Sequence, residues 1–301
     1  MFVSAIRRLA AAGSLAACAL VSTAPVNAAS PDGMKLYVFS SGALTIGKGV
    51  LQNFGPMDPP IKIPVGFYLI KHPKGNVLFD TGNNDKIITD PSYWGPSFDA
   101  LKPVNTPDVA IDVQLKKVGV SPDDVKYVVV SHMHLDHGGN VGKFPNSTLI
   151  IQRDEINFAM FPDEPFTGAF IPGDSWALRS PVGSSKPNAM KMVILDNQDM
   201  DIFGDGSVIV KSSRGHTAGS QMMLVRLPKL GSTILTGDNV YFRENVEKSI
   251  PPNLVLAYDP AGIMRAYEWI RYMAATEGAD FFTAHDPDAF KAMKQAPAYY
   301  E

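Results

Sequence analysis

Apolar residues run along this chain in short bursts bounded by turn residues. Ten bursts have strand length and a β-branched or aromatic bias: 35–39, 65–70, 76–80, 126–130, 148–152, 192–195, 207–211, 221–227, 232–237 and 280–284. Helical periodicity is rarer. A cap and a proline at Thr106-Pro107 predict a helix that ends near Gly119. A second helix is predicted over 261–276, where Ile263, Ala266, Tyr267, Ile270 and Met273 recur at helical spacing. Many strands with few helices predict an α+β chain of two packed sheets with helices outside. The stretches 40–62, 83–105 and 161–190 are rich in proline, glycine and aromatics, and read as long loops of the kind that line sites.

The first residues do not fit this pattern. Arg7 and Arg8 precede an apolar run from Leu9 to Val21 and the small-residue sequence Val26-Asn27-Ala28. This is the pattern of an export signal cleaved after Ala28, giving a periplasmic or secreted protein. The run is shorter than the ~20 apolar residues a spanning helix needs, so no integral membrane segment is expected in the mature chain. Leu15 to Cys18 also resembles a bacterial lipobox, which would instead anchor the chain through Cys18. The folded unit is then expected as one domain over 34–301.

Composition narrows the chemistry. Cys18 is the only cysteine, so the mature chain has neither a disulfide framework nor a thiolate ligand or nucleophile. Apolar residues make up 45%, enough for an ordinary core. A net charge of −3 without a basic run excludes nucleic acid and anionic membrane as expected partners and leaves a small molecule. Oligomeric state is open; a homodimer is the commonest arrangement for a soluble enzyme.

Histidine is scarce and concentrated. Of six in the chain, three fall in "SHMHLDHGGN", with His132, His134, Asp136 and His137 directly after the apolar run 126–130. Alternate strand positions share a face, so His132 and His134 can address one point. A bend allowed by Gly138 and Gly139 would turn Asp136 and His137 to a second point. His216, Asp238 and His285 each follow another apolar run, so all seven groups are expected along one sheet edge. The sixth histidine, His72, lies in a turn and is assigned to the surface. Imidazole and carboxylate donors suit zinc and similar ions; cobalt, iron and manganese also fit. Seven donors exceed one tetrahedral ion. They suit two divalent metal ions about 3.5–4 Å apart, with a carboxylate such as Asp238 between them and hydrolysis as the chemistry.

With these residues in place, the sequence resembles the metallo-β-lactamase superfamily, whose His-x-His-x-Asp-His motif stands as His132, His134, Asp136 and His137. The resemblance runs from about Met34 to the end and implies a single-domain αββα sandwich. It implies one metal on His132, His134 and His216 and another on Asp136, His137 and His285, bridged by Asp238. Asp80, in "LFDTG", would support them from behind. Within the superfamily the sequence is most similar to the N-acyl-homoserine lactone hydrolases, the quorum-quenching lactonases, through "PVGFYLI", "IIQRDE" and "GDNVYFRENVE". By that resemblance Tyr241 touches the lactone carbonyl and stabilises the oxyanion, while Asp136 returns a proton to the leaving oxygen. Phe54, Trp94, Phe170 and Trp176 are the aromatics placed to receive an acyl tail.

"HTAGSQ" departs from the commoner His-Thr-Pro-Gly-His, and export is less usual for these lactonases. The alternatives are an organophosphate hydrolase, a glyoxalase II-like thioesterase, a β-lactamase, or a zinc-binding protein without catalysis. The presence of Asp238 weighs against the β-lactamase, and the acidic, lysine-poor C-terminus against a glutathione thioesterase. Dispersed ligands mixed with carboxylates weigh against a metal buffer.

Overall fold

The computed structural model describes residues 30–178 and 190–301, so the proposed leader and Cys18 lie outside the described residues. Two sheets face each other. The first holds β1 (Lys35–Ile46), β2 (Ile61–Lys71), β3 (Asn76–Phe79), β4 (Val125–Val129), β5 (Thr148–Gln152) and β6 (Lys191–Leu195), in that spatial order. The second holds β7 (Met200–Asp201), β8 (Val208–Ser212), β9 (Gln221–Leu227), β10 (Gly231–Leu235) and β11 (Asp280–Phe282), in the reverse order. Strands β3 to β6 pair in parallel, as do β10 and β11, while the other pairs are antiparallel.

Alternation along each strand builds three layers of core. Val38, Ile70, Phe79 and Val129 from the first sheet meet Val210, Met223, Val225 and Leu235 from the second. Their neighbours one position along point outward. Leu69, Leu78 and Val128 pack under the helices α3 (Ile111–Lys116) and α4 (Arg153–Met160), both of which follow the short helices α1 (Lys48–Leu51) and α2 (Pro96–Leu101). On the far side, Met222, Leu224 and Ile234 lie against Ile263, Tyr267 and Ile270. Those three belong to α6 (Pro260–Glu277), which is preceded by α5 (Arg243–Lys248) and followed by α7 (Pro287–Ala292). Each sheet is thus buried on both faces, and the architecture is an αββα sandwich. Helix α6 has the stripe, N-cap and C-cap that its sequence calls for. Asp259 accepts from the Gly262 amide, Pro260 opens the helix, and Gly278 closes it at φ +65°. Burying its Ile263, Ile270 and Met273 side chains is worth roughly 1.5–3 kcal/mol each.

Two sequence expectations are corrected. Most of 40–62 is not loop: β1 runs on to Ile46 and pairs with β2 from Ile61, interrupted by a bulge at Ser40–Ala43. There Gly42 sits at φ +110°, and a Cβ on it would lie 2.3 Å from the Val104 carbonyl oxygen. The single helix expected from Pro107 breaks at Ala110. The reason is tertiary: the Asp85 carboxylate accepts the Ile111 amide at 3.1 Å and caps a new helix there.

Candidate metal centre

The parallel strands all deliver their C-terminal ends to one edge of the sandwich. Asp80 follows β3, the His132–His137 loop follows β4, Asp238 follows β10, His285 follows β11, and His216 sits in the β8–β9 hairpin. The structure brings all seven donors named from the sequence into one buried cluster. His132, His134 and His216 form one nest, and Asp136, His137 and His285 form another; within each, the donor atoms all lie within 4.8 Å. His216 Nε2 is 3.1 Å from His132 Nε2 and 2.9 Å from His134 Nδ1. Asp238 lies between the nests. Its Oδ1 is 3.1 Å from Nε2 of both His137 and His285, and its Oδ2 is 3.6 Å from His216 Nε2.

The local backbone is not the extended segment expected from the sequence. β4 ends at Val129 and turns begin at Leu135, so His132 and His134 lie on irregular backbone between them and meet at one point, one through Nε2 and the other through Nδ1. Nor do the two glycines act through left-handed backbone. A Cβ on Gly139 would lie 2.4 Å from the Asn84 amide nitrogen, and one on Gly138 would lie 2.8 Å from the Met133 side chain. They are small because the chain is packed tightly behind the ligands.

The outer nitrogens define the inner ones. Nδ1 of His216 faces the Leu256 carbonyl at 2.7 Å, and Nδ1 of His285 faces the Pro64 carbonyl at 2.7 Å. His137 Nδ1 is 2.9 Å from Asp80 Oδ2. His132 Nδ1 donates to the Ser131 hydroxyl, which itself donates to Asp80 Oδ2, each at 2.9 Å. These acceptors place the proton on Nδ1 of all four rings and leave Nε2 as an inward lone pair whenever the ring is neutral. Neutral Nε2 lone pairs would not face each other at 3.1 Å, as in His132–His216 and His137–His285, without a cation to share.

Electrostatics agree. Burial, reinforced by the neighbouring rings, holds His132 and His134 well below the usual histidine value, and burial lowers His216 as well. For His137 and His285 burial also opposes charge, but Asp238 and Asp136 overcome it and raise both. Burial would raise Asp238, yet His137 and His285 pull it well below the carboxylate range. Protons on those two rings supply the positive charge that a metal ion would bring. The donor set therefore fits divalent metal ions.

Tyr241 closes the site. Its hydroxyl is 3.4 Å from His216 Nδ1, and its ring stacks on His285 with centroids 5.8 Å apart. Burial and the adjacent Asp238 raise its pKa well above 10, so the phenol keeps its proton. Asp136, Asp238, Tyr241 and His285 form one end of a cavity of about 500 Å³. The remaining wall is mostly aliphatic, including Leu44, Ile46, Ile63, Leu101, Val255 and Leu256.

The four aromatics expected to receive a tail do not line this cavity. Phe54 is fully exposed, and Trp94 is buried with Ile87 and Leu51 beneath it. Phe170 packs edge-on against His134 from behind, and Trp176 is exposed on another face beside Met190. His72 is also corrected: it is buried, stacked on Phe203 at 3.8 Å, with Ser207 and Asp205 beside its Nε2. Its cover comes from Phe203, about 130 positions along the chain, so the local sequence shows only an ordinary turn. Sequence reasoning also passed over Glu155, a fully buried carboxylate that binds both histidine loops; burial lifts it to about 7. Its one signal is an acidic residue at the start of a helix directly after a core strand.

Comparison with known proteins follows the same lines. The family model of the metallo-beta-lactamase superfamily matches residues 64–285. The chain is 38% identical over 277 residues to the N-acyl homoserine lactonase AttM of Azorhizobium caulinodans, covering 89% of this chain and 99% of that one. It is 26% identical to the N-acyl homoserine lactonase AiiA of Bacillus thuringiensis subsp. kurstaki, over 88% of this chain and 98% of that one. A solved N-acyl homoserine lactone hydrolase, with N-hexanoyl-L-homoserine bound at its catalytic metal centre, superposes with a TM-score of 0.73. It is 25% identical and covers 88% of this chain and 98% of that one.

Proposed function

The chain belongs to the metallo-beta-lactamase superfamily, and from that premise we propose that it is a metal-dependent hydrolase that opens the ring of N-acyl homoserine lactones. The observation that carries this reading is the position of Tyr241 and Asp238 together at the polar end of an otherwise aliphatic cavity. A lactone ring needs the polar end, and an acyl chain needs the rest.

His132, His134 and His216 would hold one divalent ion, and Asp136, His137 and His285 a second, with Asp238 shared; zinc suits both donor sets. Bound there, such ions supply Lewis-acid polarisation of the lactone carbonyl and acidify water. The chain's own groups do the rest. The Tyr241 hydroxyl, kept protonated, donates to the carbonyl oxygen and strengthens that bond as negative charge develops. Asp136 sits beside His285, with Oδ2 3.4 Å from its Nε2, where its carboxylate can take a proton from the water that adds to the carbonyl and return it to the departing ring oxygen as the ring C–O bond breaks. The aliphatic walls exclude competing water and give an acyl chain a dry surface. Residues 1–28 form an export leader, so the substrate is met outside the cytoplasm; the N-terminal mass of protein recovered from cells tests this.

The function is tested with a substrate panel: acyl-homoserine lactones of short and long chain, plain γ- and δ-lactones, a phosphotriester and a β-lactam. Acyl-homoserine lactones should turn over with the highest kcat/KM. Preference for the phosphotriester or the β-lactam would replace this substrate assignment.

A further inference from the structure

Glu155 is a fully buried carboxylate that touches no cation among the described residues. It lies in the first turn of α4, and its two oxygens reach in different directions. Oε1 accepts the backbone amide of Met133, between His132 and His134, at 2.7 Å. Oε2 accepts the Thr217 hydroxyl at 2.5 Å and the Gly219 amide at 3.2 Å, in the loop that carries His216. One side chain therefore ties together the two loops that present the three imidazoles of the first nest. The fit is close: a Cβ on Gly219 would lie 2.1 Å from the Glu155 backbone nitrogen.

Charge gives this clasp a second meaning. Three neutral imidazoles bring no negative charge to the first nest, and Asp238 is shared with the second. Around the cluster the buried carboxylates are Asp80, Asp136, Asp238, Glu155 and Asp286, the last of which caps α7 directly after His285, whereas no lysine or arginine among the described residues is buried. Asp80 and Asp136 both approach His137 on the side of the second nest. Asp238 also reaches both loops of the first nest, but Glu155 alone among these carboxylates is hydrogen-bonded to the backbone of both.

Building on the two-ion reading above, we propose that Glu155 is a positioning residue for the three-imidazole nest and supplies that nest with a buried negative charge of its own. A buried anion that is hydrogen-bonded but has no cationic side chain in contact destabilises the metal-free protein and is compensated when the cations bind, which raises metal affinity without touching the metal.

The test compares Glu155→Gln, Glu155→Asp and wild-type protein by competition of zinc alone against a chromogenic chelator, with thermal unfolding of the metal-free forms alongside. Glu155→Gln keeps the shape and removes the charge. It should weaken one of two zinc equivalents by about tenfold to a hundredfold, while the metal-free melting temperature stays equal or rises. Glu155→Asp keeps the charge but cannot span both loops, and should weaken the same equivalent. Wild-type zinc affinity in Glu155→Gln overturns the charge role. A metal-free melting temperature lowered as much as the zinc-loaded one makes Glu155 a packing residue and also overturns it. Wild-type protein that binds no zinc at all would instead sink the two-ion reading.

Discussion

Tyr241 and Asp238 separate binding from chemistry. Tyr241→Phe removes one hydroxyl whose pKa is already too high to ionise. It should retain its metal and lose about a hundredfold in kcat, as for the loss of a single oxyanion donor; steady-state kinetics on metal-replete protein give the answer. Asp238→Asn should do worse, since Asp238 Oδ1 lies 3.1 Å from both His137 and His285 Nε2. Elemental analysis after dialysis should show metal lost from that variant along with activity. At this scale the ligands were legible, because imidazoles and carboxylates follow strand ends too regularly for solvent-facing turns. The supports were legible only in part. Asp80 stands out through the resemblance carried by "LFDTG", whereas Ser131 and Glu155 act through bonds to residues distant in sequence, and nothing in the local pattern around Glu155 distinguishes a buried carboxylate from an exposed one.

Among elements, the joints matter more than the strands. The N-terminus of α6 presses on the His216 hairpin: Asp259 donates its amide to Gly215 at 2.8 Å and Tyr258 donates to His216 at 3.2 Å. A Cβ on Gly262 would lie 2.0 Å from the Arg214 carbonyl oxygen. Gly262→Ala should therefore destabilise the fold by roughly 1–3 kcal/mol as an overpacked joint, and denaturant unfolding would show it. Lost metal affinity should accompany it, because the helix and the ligand loop must separate. The ten apolar bursts all became strands, and the helix over α6 was set by its own stripe and caps. What sequence missed needed a partner. The extension of β1 past Ser40 exists because β2 pairs with it across a bulge, and the break at Ala110 exists because Asp85 reaches Ile111.

For the whole molecule, folding and metal binding should be one equilibrium. The seven donors come from four separate strand ends or loops, so an unfolded chain has no site to offer. Chelation should lower the melting temperature, with a loss of about 4 kcal/mol where free metal had stood a thousandfold above its dissociation constant. Away from the metals, Asp174 adds a pH term. It is buried, accepts among the described residues only from the Tyr93 hydroxyl and the Asn84 amide, and burial lifts it to about 7 from 3.8. The folded state therefore holds this proton where the unfolded chain has released it. That stability is complete below about 3.8 and is lost as pH rises toward 7, with a slope approaching about 1.4 kcal/mol per pH unit. Asp174→Asn should remove that slope in a comparison of unfolding across the range.

The central claim is lactone opening by a metal-loaded site, and product mass tests it most directly. Purified protein, stripped and then reloaded with zinc, would be incubated with an N-acyl homoserine lactone and the mixture examined by mass spectrometry. The expected result is an acyl-homoserine one water heavier than the lactone, formed by the zinc-loaded protein and not by the stripped one. Contradiction would be a lactone that stays intact in the presence of fully loaded protein, or one that opens at the same rate when the metal has been removed.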